Sequence, residues 1–423
     1  MREAILIAVV CGLAAIALVR PRIGLYSYIW FALMRPDYFA WAIGSFPFSP
    51  VLSIATLVGS LRYYYRYPIV LRESLSRALI LYQLPVIASV YLAVNPALTY
   101  APFWEFERIV CMALLIPILI ESVDHLRTLF MVIAFSLGAI GFKYGLFGWR
   151  MGGVSISEGY AGLDNNSLAL ALVIALPFCW YMRSQVESRW LKLAMIAIIF
   201  ASVAAVIMTR SRSGSLALAT TFLLMTIRSR RRIGVAILVV LLVAPSIYLV
   251  REKYLARLST LQDPTADSSA NSRLILAEVY WEMWKDYPVF GVGFGNENGI
   301  KLLPNYLSNP KYDQLKIHNT YLQVLVDSGI FAFLIFVYLL FGAIVRLYSS
   351  IKICRSQGSG LVVYPTAMQT ALIAVAQYGL TGGRERYDCL YFLLMAAAAW
   401  FLIERESRLA PATETVAPVL AEA

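Results

Sequence analysis

Apolar blocks about as long as a bilayer crossing recur along this chain, at 78–94, 127–147, 163–182, 191–208, 233–250, 322–345 and 362–380. Shorter or weaker blocks lie at 4–19, 23–34, 47–61, 106–120, 213–227 and 388–403. A helix needs roughly 20 residues to cross the hydrocarbon of a membrane, so these blocks dictate helices solvated by lipid. With 60% of 423 residues hydrophobic and only 14% charged, the chain lacks the polar side chains to clothe a soluble globule. The fold class expected is all-α, a polytopic membrane protein of about 12 transmembrane helices. Arg20-Pro21-Arg22 follows the first block where a signal peptide would carry a small-residue cleavage site, so a spanning segment is expected there. Read as a single broken crossing, 4–34 leads to twelve spans; read as a turn at Arg20-Pro21-Arg22, to thirteen, and the shortness of 23–34 favours twelve.

Orientation follows from the basic residues. Arg62, Arg66, Arg72 and Arg77 form one cluster, and Arg183, Arg189 and Lys192 a second. Arg228 with Arg230 to Arg232 makes a third, and Arg346, Lys352 and Arg355 a fourth. Cytoplasmic loops carry the excess of Lys and Arg, and the parity of the spans lets all four clusters be cytoplasmic together. The net charge of +11 is thereby accounted for by membrane orientation and anionic headgroups, with no nucleic acid required. The organisation expected is N-terminal transmembrane helices over 1–250, a long helical exterior loop over 251–321 carrying the catalytic elements, C-terminal transmembrane helices over 322–403 and a cytoplasmic tail over 404–423. Cys11, Cys111, Cys179, Cys354 and Cys389 stand singly, so neither a disulfide framework nor a metal knuckle is implied.

The exterior loop can be read in detail. After the polar stretch 263–271 a helix should begin near Ser272, capped by Asn271 or Ser269, and end near Asp286 before Pro288. Leu274, Val279, Trp281 and Trp284 give it apolar surface suited to a membrane interface. Gly291-Val292-Gly293-Phe294-Gly295-Asn296 has no preceding strand and no following Lys-Ser/Thr, so it reads as a tight turn and not as a phosphate cradle. His318 ends the loop, at the membrane boundary. Arg210 and Arg212 sit on the exterior side, where short loops should be poor in cations, and so call for a counter-anion.

Arg273 through Gly295, followed by His318-Asn319-Thr320-Tyr321-Leu322-Gln323-Val324-Leu325 and Gly329, resembles the C-terminal module shared by O-antigen ligases and O-antigen polymerases. Thr209-Arg210-Ser211-Arg212-Ser213-Gly214-Ser215-Leu216 resembles the Ser-Arg-Ser-Gly element that precedes it in those proteins. Lys143-Tyr144-Gly145 and Asp164-Asn165-Asn166-Ser167-Leu168-Ala169 are similar to a subgroup of glycan ligases linked to exosortase systems. The resemblance implies a membrane-embedded, GT-C-like, inverting glycosyltransferase of the bacterial inner membrane, with its site facing the periplasm. It implies an undecaprenyl-pyrophosphate glycan as donor and, for a ligase, a sugar hydroxyl of lipid A-core as acceptor. No cofactor and no metal are implied, and a monomer among membrane lipids is expected.

Such a transfer needs a group to take the acceptor proton and fixed positive charge for the departing pyrophosphate. The chain has two histidines. His125 falls in a short cytoplasmic loop, whereas His318, whose imidazole has an ordinary pKa of about 6.5, stands on the exterior side as the expected general base. Glu297 or Asp313 would be the fallback. Arg212 and Arg273 match the family's arginines, and Arg suits phosphate because its planar fork donates two parallel hydrogen bonds. Arg210, Lys143, Arg384 and Arg386 are weaker candidates for the same cationic funnel. Glu105 and Glu107 are the alternative that metal chemistry would use, although no histidine stands near them in sequence. A ligase is the reading favoured, with an O-antigen polymerase or a protein O-oligosaccharyltransferase as alternatives sharing the donor. A lipid-linked glycan transporter is the alternative from another class.

The orientation is open to direct test. A cysteine introduced at Asn309 should react with a membrane-impermeant thiol reagent in intact spheroplasts. Reaction only after lysis would reverse the assignment of every loop.

Overall fold

The computed structural model describes residues 2–40, 46–151, 164–229, 268–307 and 315–409. The block at 233–250, the third cluster beyond Arg228, Asn309 and Asp313 lie outside the described residues. Within them the fold is helical, with no strand. The N-terminal part comprises α1 (Arg2–Val19), α2 (Pro21–Met34), α3 (Pro36–Ala40), α4 (Phe48–Ser60), α5 (Tyr67–Val70), α6 (Ser74–Tyr91), α7 (Tyr100–Leu119) and α8 (Val123–Met151). It is followed by α9 (Asn165–Met182), α10 (Arg189–Met208), α11 (Arg212–Arg228), α12 (Ser268–Asp286), α13 (Glu297–Tyr306), α14 (Thr320–Ser356), α15 (Val363–Tyr378) and α16 (Asp388–Leu409). Seven of the described helical segments are long and apolar enough to cross a membrane. Each apolar block that falls among the described residues forms a helix.

The segment 4–34 departs from the expected single broken crossing. Arg20 alone separates α1 from α2, and α1 packs against both α2 and the short α3 that follows it, so the chain doubles back at Arg20-Pro21. Proline at the first position of α2 favours the break, because it has no N–H to continue the hydrogen bonding of α1 and its fixed φ suits the start of a helix. The turn is fastened by Arg62, which donates to the carbonyls of Val19 at 2.7 Å and Leu18 at 3.0 Å, and by an Arg22–Glu121 ion pair at 2.8 Å.

Helix α9 is the axis of the bundle. It is apolar on nearly every face and packs against α8, α10, α11 and α15, which is the behaviour expected of a helix surrounded by protein. Its buried face is continuous with the main apolar core. The described basic clusters gather at one end of the bundle, where Arg66 pairs with Glu121, Arg346 with Glu73, and Arg228 with Gln369 and Thr370. The start of α9, the start of α11 and the start of α14 lie at the other end.

Helix α14 contains the main irregularity. It breaks at Gly329, where φ is +77°. The turn 291–295 lies in that break: Val292 N–H donates to Val326 O at 2.8 Å, Gly293 N–H to Asp327 O at 3.1 Å, and Ile330 N–H to Pro288 O at 3.0 Å. Gly291, Gly293, Gly295 and Asn296 all have positive φ, which accounts for the glycine spacing as turn geometry. Helix α12 packs on this assembly through Leu276, Val279, Tyr280 and Met283, which join Val292, Leu303, Ile317 and Val326 in a second apolar cluster. Leu274 and Trp281 point outward. The helix thus has a protein-facing side as well as the exposed apolar side expected of an interface helix. It also starts at Ser268, four residues ahead of the expected Ser272.

A side chain at Gly329 would need a backbone conformation unfavourable to L residues, and its Cβ would meet Val289 O at 2.0 Å. Gly329→Ala should therefore cost at least about 1–3 kcal/mol, read as a lower melting temperature of the detergent-solubilised protein. Gly12→Ala, at a position with open space around it, is the control. Equal melting of the two variants would remove the strain argument.

Candidate active site

Three helix N-termini and one loop build the site. Asp164 caps α9, its Oδ1 accepting from Ser167 N–H at 2.8 Å. Ser211 caps α11 by accepting from Gly214 N–H at 3.0 Å and donates to Asn166 Oδ1 at 2.6 Å, tying the two helix starts together. Asn319 caps α14, accepting from Tyr321 and Leu322 N–H at 3.0 Å each. Thr320, next along, accepts from Arg384 N–H at 3.0 Å and donates to Gly382 O at 2.7 Å, which holds the loop 379–387 against the start of α14. Helix N-termini carry partial positive charge even when capped, so their convergence favours an anion.

His318 lies between these elements. Ile317 anchors it by burial in the second apolar cluster, leaving the imidazole half-buried. Two cavities meet at this residue. One, of about 600 Å³, is lined by Arg212, Arg273, Asn166 and Asn319. The other, of about 940 Å³, takes in Arg384, Arg386, Lys316 and Gln323. His318 and Asp164 line both.

Burial holds the His318 imidazole below its ordinary 6.5, Arg273 and Arg384 push the same way, and Asp164 opposes them. At neutral pH the ring is therefore uncharged and able to accept a proton. Burial acts to raise the Asp164 carboxyl, but its bonds to Ser167 and the charge of Arg384 outweigh it and hold the group below the usual carboxylate range. It stays ionised beside the imidazole.

The structure thus brings His318, Arg212 and Arg273 together. Since α12 starts at Ser268, Arg273 stands in its second turn, where the dipole opposes a cation less than in the expected first turn. Arg384 also faces this region, bonded through Nε to Ser167 Oγ. Arg386 lines the larger cavity but is paired with Glu385 at 3.3 Å and donates to Gly295 O at 3.4 Å. Arg210, at the bend between α10 and α11 with φ +54°, lines neither cavity. Lys143 is also off both, its Nζ lying 4.0 Å from the centroid of the Phe39 ring. Glu297 lines neither. His125 is at the opposite end, accepting from Glu121 N–H at 3.4 Å. Glu105 lines the larger cavity, while among the described residues no group of three or more His, Cys, Asp or Glu side chains is placed to hold a metal ion.

Sequence reasoning passed over Arg35, Asp37, Arg108 and Asp388, all on the wall of the larger cavity. A signal was present: Arg35 and Arg108 fall next to 36–46 and 95–105, segments that the parity of the basic clusters is expected to put outside, the same breach of charge asymmetry that singled out Arg212.

Residues 197–337 match the family model described as O-antigen ligase. The match runs from within α10 to within α14 and includes Arg212, Arg273 and His318. No curated protein matches the chain. The family indicated by the motifs is thus the one whose model matches, over a third of the chain. The match supports a membrane glycan-processing enzyme of the O-antigen ligase or polymerase type.

The electrostatics of His318 can be measured directly. In a His125→Gln background the remaining histidine should titrate by NMR with a midpoint below 6.5, because burial and Arg273 both disfavour the imidazolium. Arg273→Ala should move that midpoint upward. A midpoint at or above 6.5, or no movement, would contradict the placement of Arg273 beside the ring.

Proposed function

We propose that this protein is an O-antigen ligase of the bacterial inner membrane, transferring a glycan from undecaprenyl pyrophosphate to a sugar hydroxyl of lipid A-core at the periplasmic face. The observation that carries this reading is the position of His318 in the shared wall of two cavities, one of them holding Arg212 and Arg273. In the proposed step the acceptor oxygen attacks the anomeric carbon while the bond from that carbon to the pyrophosphate oxygen breaks. The acceptor proton passes to the imidazole of His318. Undecaprenyl pyrophosphate leaves with its charge held by Arg212, Arg273 and the adjoining helix N-termini. Attack from the larger cavity on a donor gripped in the smaller one reaches the face opposite the leaving group, so configuration inverts. The pyrophosphate is itself the leaving group, and the step needs no nucleotide, cofactor or metal.

An O-antigen polymerase would use the same donor and differ in its acceptor. A transporter is less well supported, because the cavity that holds Arg212 and Arg273 lies at the helix starts at one end of the bundle, whereas carriers bind near its middle.

Purified protein supplied with undecaprenyl-pyrophosphate glycan and lipid A-core should form the ligated product. His318→Ala should bind donor normally yet turn over about 10²–10⁴ times more slowly, with His125→Ala near wild type. Arg212→Ala and Arg273→Ala should each lose about 2–4 kcal/mol of transition-state stabilisation, and the lysine variants much of that, since lysine keeps the charge without the fork. A His318→Ala rate within about threefold of wild type, against the expected 10²–10⁴, would remove the histidine as base.

A further inference from the structure

The larger cavity differs from the smaller in its charge. Arg212 and Arg273 face a single carboxylate, Asp164, in the smaller one. On the wall of the larger, the cations are Arg35, Arg108, Lys316, Arg384 and Arg386. They are matched by Asp37, Glu105, Asp164, Glu385 and Asp388. A wall that carries five basic and five acidic side chains, two pairs of them joined directly as Arg35–Asp37 and Arg386–Glu385, offers no net attraction to an anion. It does offer many acceptors and donors at fixed positions, which is what hydroxyl groups require.

Its remaining surface is aromatic. Phe31 and Phe48 stack on each other with centroids 5.5 Å apart and are buried, and Phe46, partly exposed, packs on Phe48 at 4.9 Å, so one side of the cavity is an aromatic cluster with Phe46 as its most accessible ring. Beside it, Arg35 holds Asp37 through two parallel bonds, Nη2 to Oδ2 at 2.8 Å and Nε to Oδ1 at 3.1 Å, and its guanidinium carbon stands 4.9 Å from the Tyr38 ring centroid. The Asp37 side chain is buried. Arg35 has φ +50°, a conformation that glycine or asparagine normally supplies after a helix. Strain of this kind persists where the surroundings over-determine a residue, and it clusters at binding and catalytic sites. Arg35, Asp37 and the aromatic wall all precede residue 197, outside the matched stretch.

We infer that the larger cavity is the acceptor subsite and that it selects an uncharged sugar, set against Phe46 of the aromatic cluster and hydrogen-bonded through its hydroxyls to the Arg35–Asp37 pair and Arg108. This rests on the glycan-transfer reading above. His318, on the wall of this cavity, then takes the proton of a hydroxyl of that sugar. The division of labour is that the matched module grips the donor while α2, α3 and α7 read the acceptor.

The test compares decyl glucoside with its 6-phosphate, and with a serine-containing decyl peptide, as acceptors for undecaprenyl-pyrophosphate glycan. The glucoside should be preferred at least tenfold in kcat/KM. Asp37→Asn and Arg108→Gln should each raise the glucoside KM about tenfold or more while leaving donor affinity unchanged, and donor affinity also reports that each variant is folded. Should Asp37→Asn fail to bind donor, Arg108→Gln decides alone. Preference for the phosphorylated glycoside or the peptide, or an acceptor KM within threefold of wild type in the variants, overturns the assignment. If wild-type protein transfers glycan to none of the three and to lipid A-core neither, it is the glycan-transfer reading that fails.

Discussion

A helix that breaks inside a membrane protein must find partners for the backbone groups it releases, because lipid supplies none. In α14 the break at Gly329 frees the carbonyls of Val326 and Asp327, and the N–H groups of Val292 and Gly293 occupy them. Much of the site depends on this exchange. It fixes the turn 291–295 against α14, and α12 then packs on the turn through Val279, Tyr280 and Met283. Arg273 is carried on α12, and Ile317, buried in the same cluster, sets His318 just ahead of the N-cap Asn319. A loop of this kind holds a base and a cation in register only if it is packed like a core, and the second apolar cluster provides that packing.

The opposite end of the bundle has a different task. There the arginines are satisfied by carboxylates and by carbonyls of the chain itself, as with Arg66 and Glu121, Arg346 and Glu73, and Arg62 with the carbonyls of α1. Charge at that end orients and fastens helices. At the site end, Arg212 and Arg273 converge on a cavity with one carboxylate, where an incoming anion is favoured.

How much of this was legible depends on the range of the interaction. The blocks of α6, α8, α9, α10 and α14 could be read directly, because a run of apolar residues long enough to cross lipid has few other ways to fold. His318 and Arg212 could be singled out because topology made them anomalous or unique on their side. The doubling back at Arg20 was not legible from length alone: the block 23–34 is short, and what fixes the turn is Arg22 meeting Glu121 and Arg62 meeting α1, contacts between residues far apart in sequence. Arg35 and Arg108 carried a sequence signal as cations beside segments expected outside, but their meeting with Asp37 was not legible, since only the packing of α2 and α4 with α7 brings them to the wall that His318 shares. Lys143 and Arg210 show the converse. Their charge fitted the expected funnel, yet helix geometry turns one onto Phe39 and puts the other at a bend away from both cavities.

In the proposed reaction the position of Arg273 would join donor binding to proton transfer. Its charge acts on His318 in the same sense as burial, holding the imidazole neutral but also making it a weaker base. A pyrophosphate bound between Arg212 and Arg273 would place negative charge beside the same ring and offset the guanidinium's effect. The imidazole would then bind a proton more readily when the donor is present than when it is absent. As the acceptor hydroxyl gives up its proton, the growing positive charge on His318 would lie next to the growing negative charge on the departing pyrophosphate. Each stabilises the other in a partly buried site where charges interact more strongly than in water. In the proposed reaction this coupling ties the base strength of His318 to a loaded donor site, and it rests on Arg273 acting on His318 from the wall of the cavity proposed to take the donor.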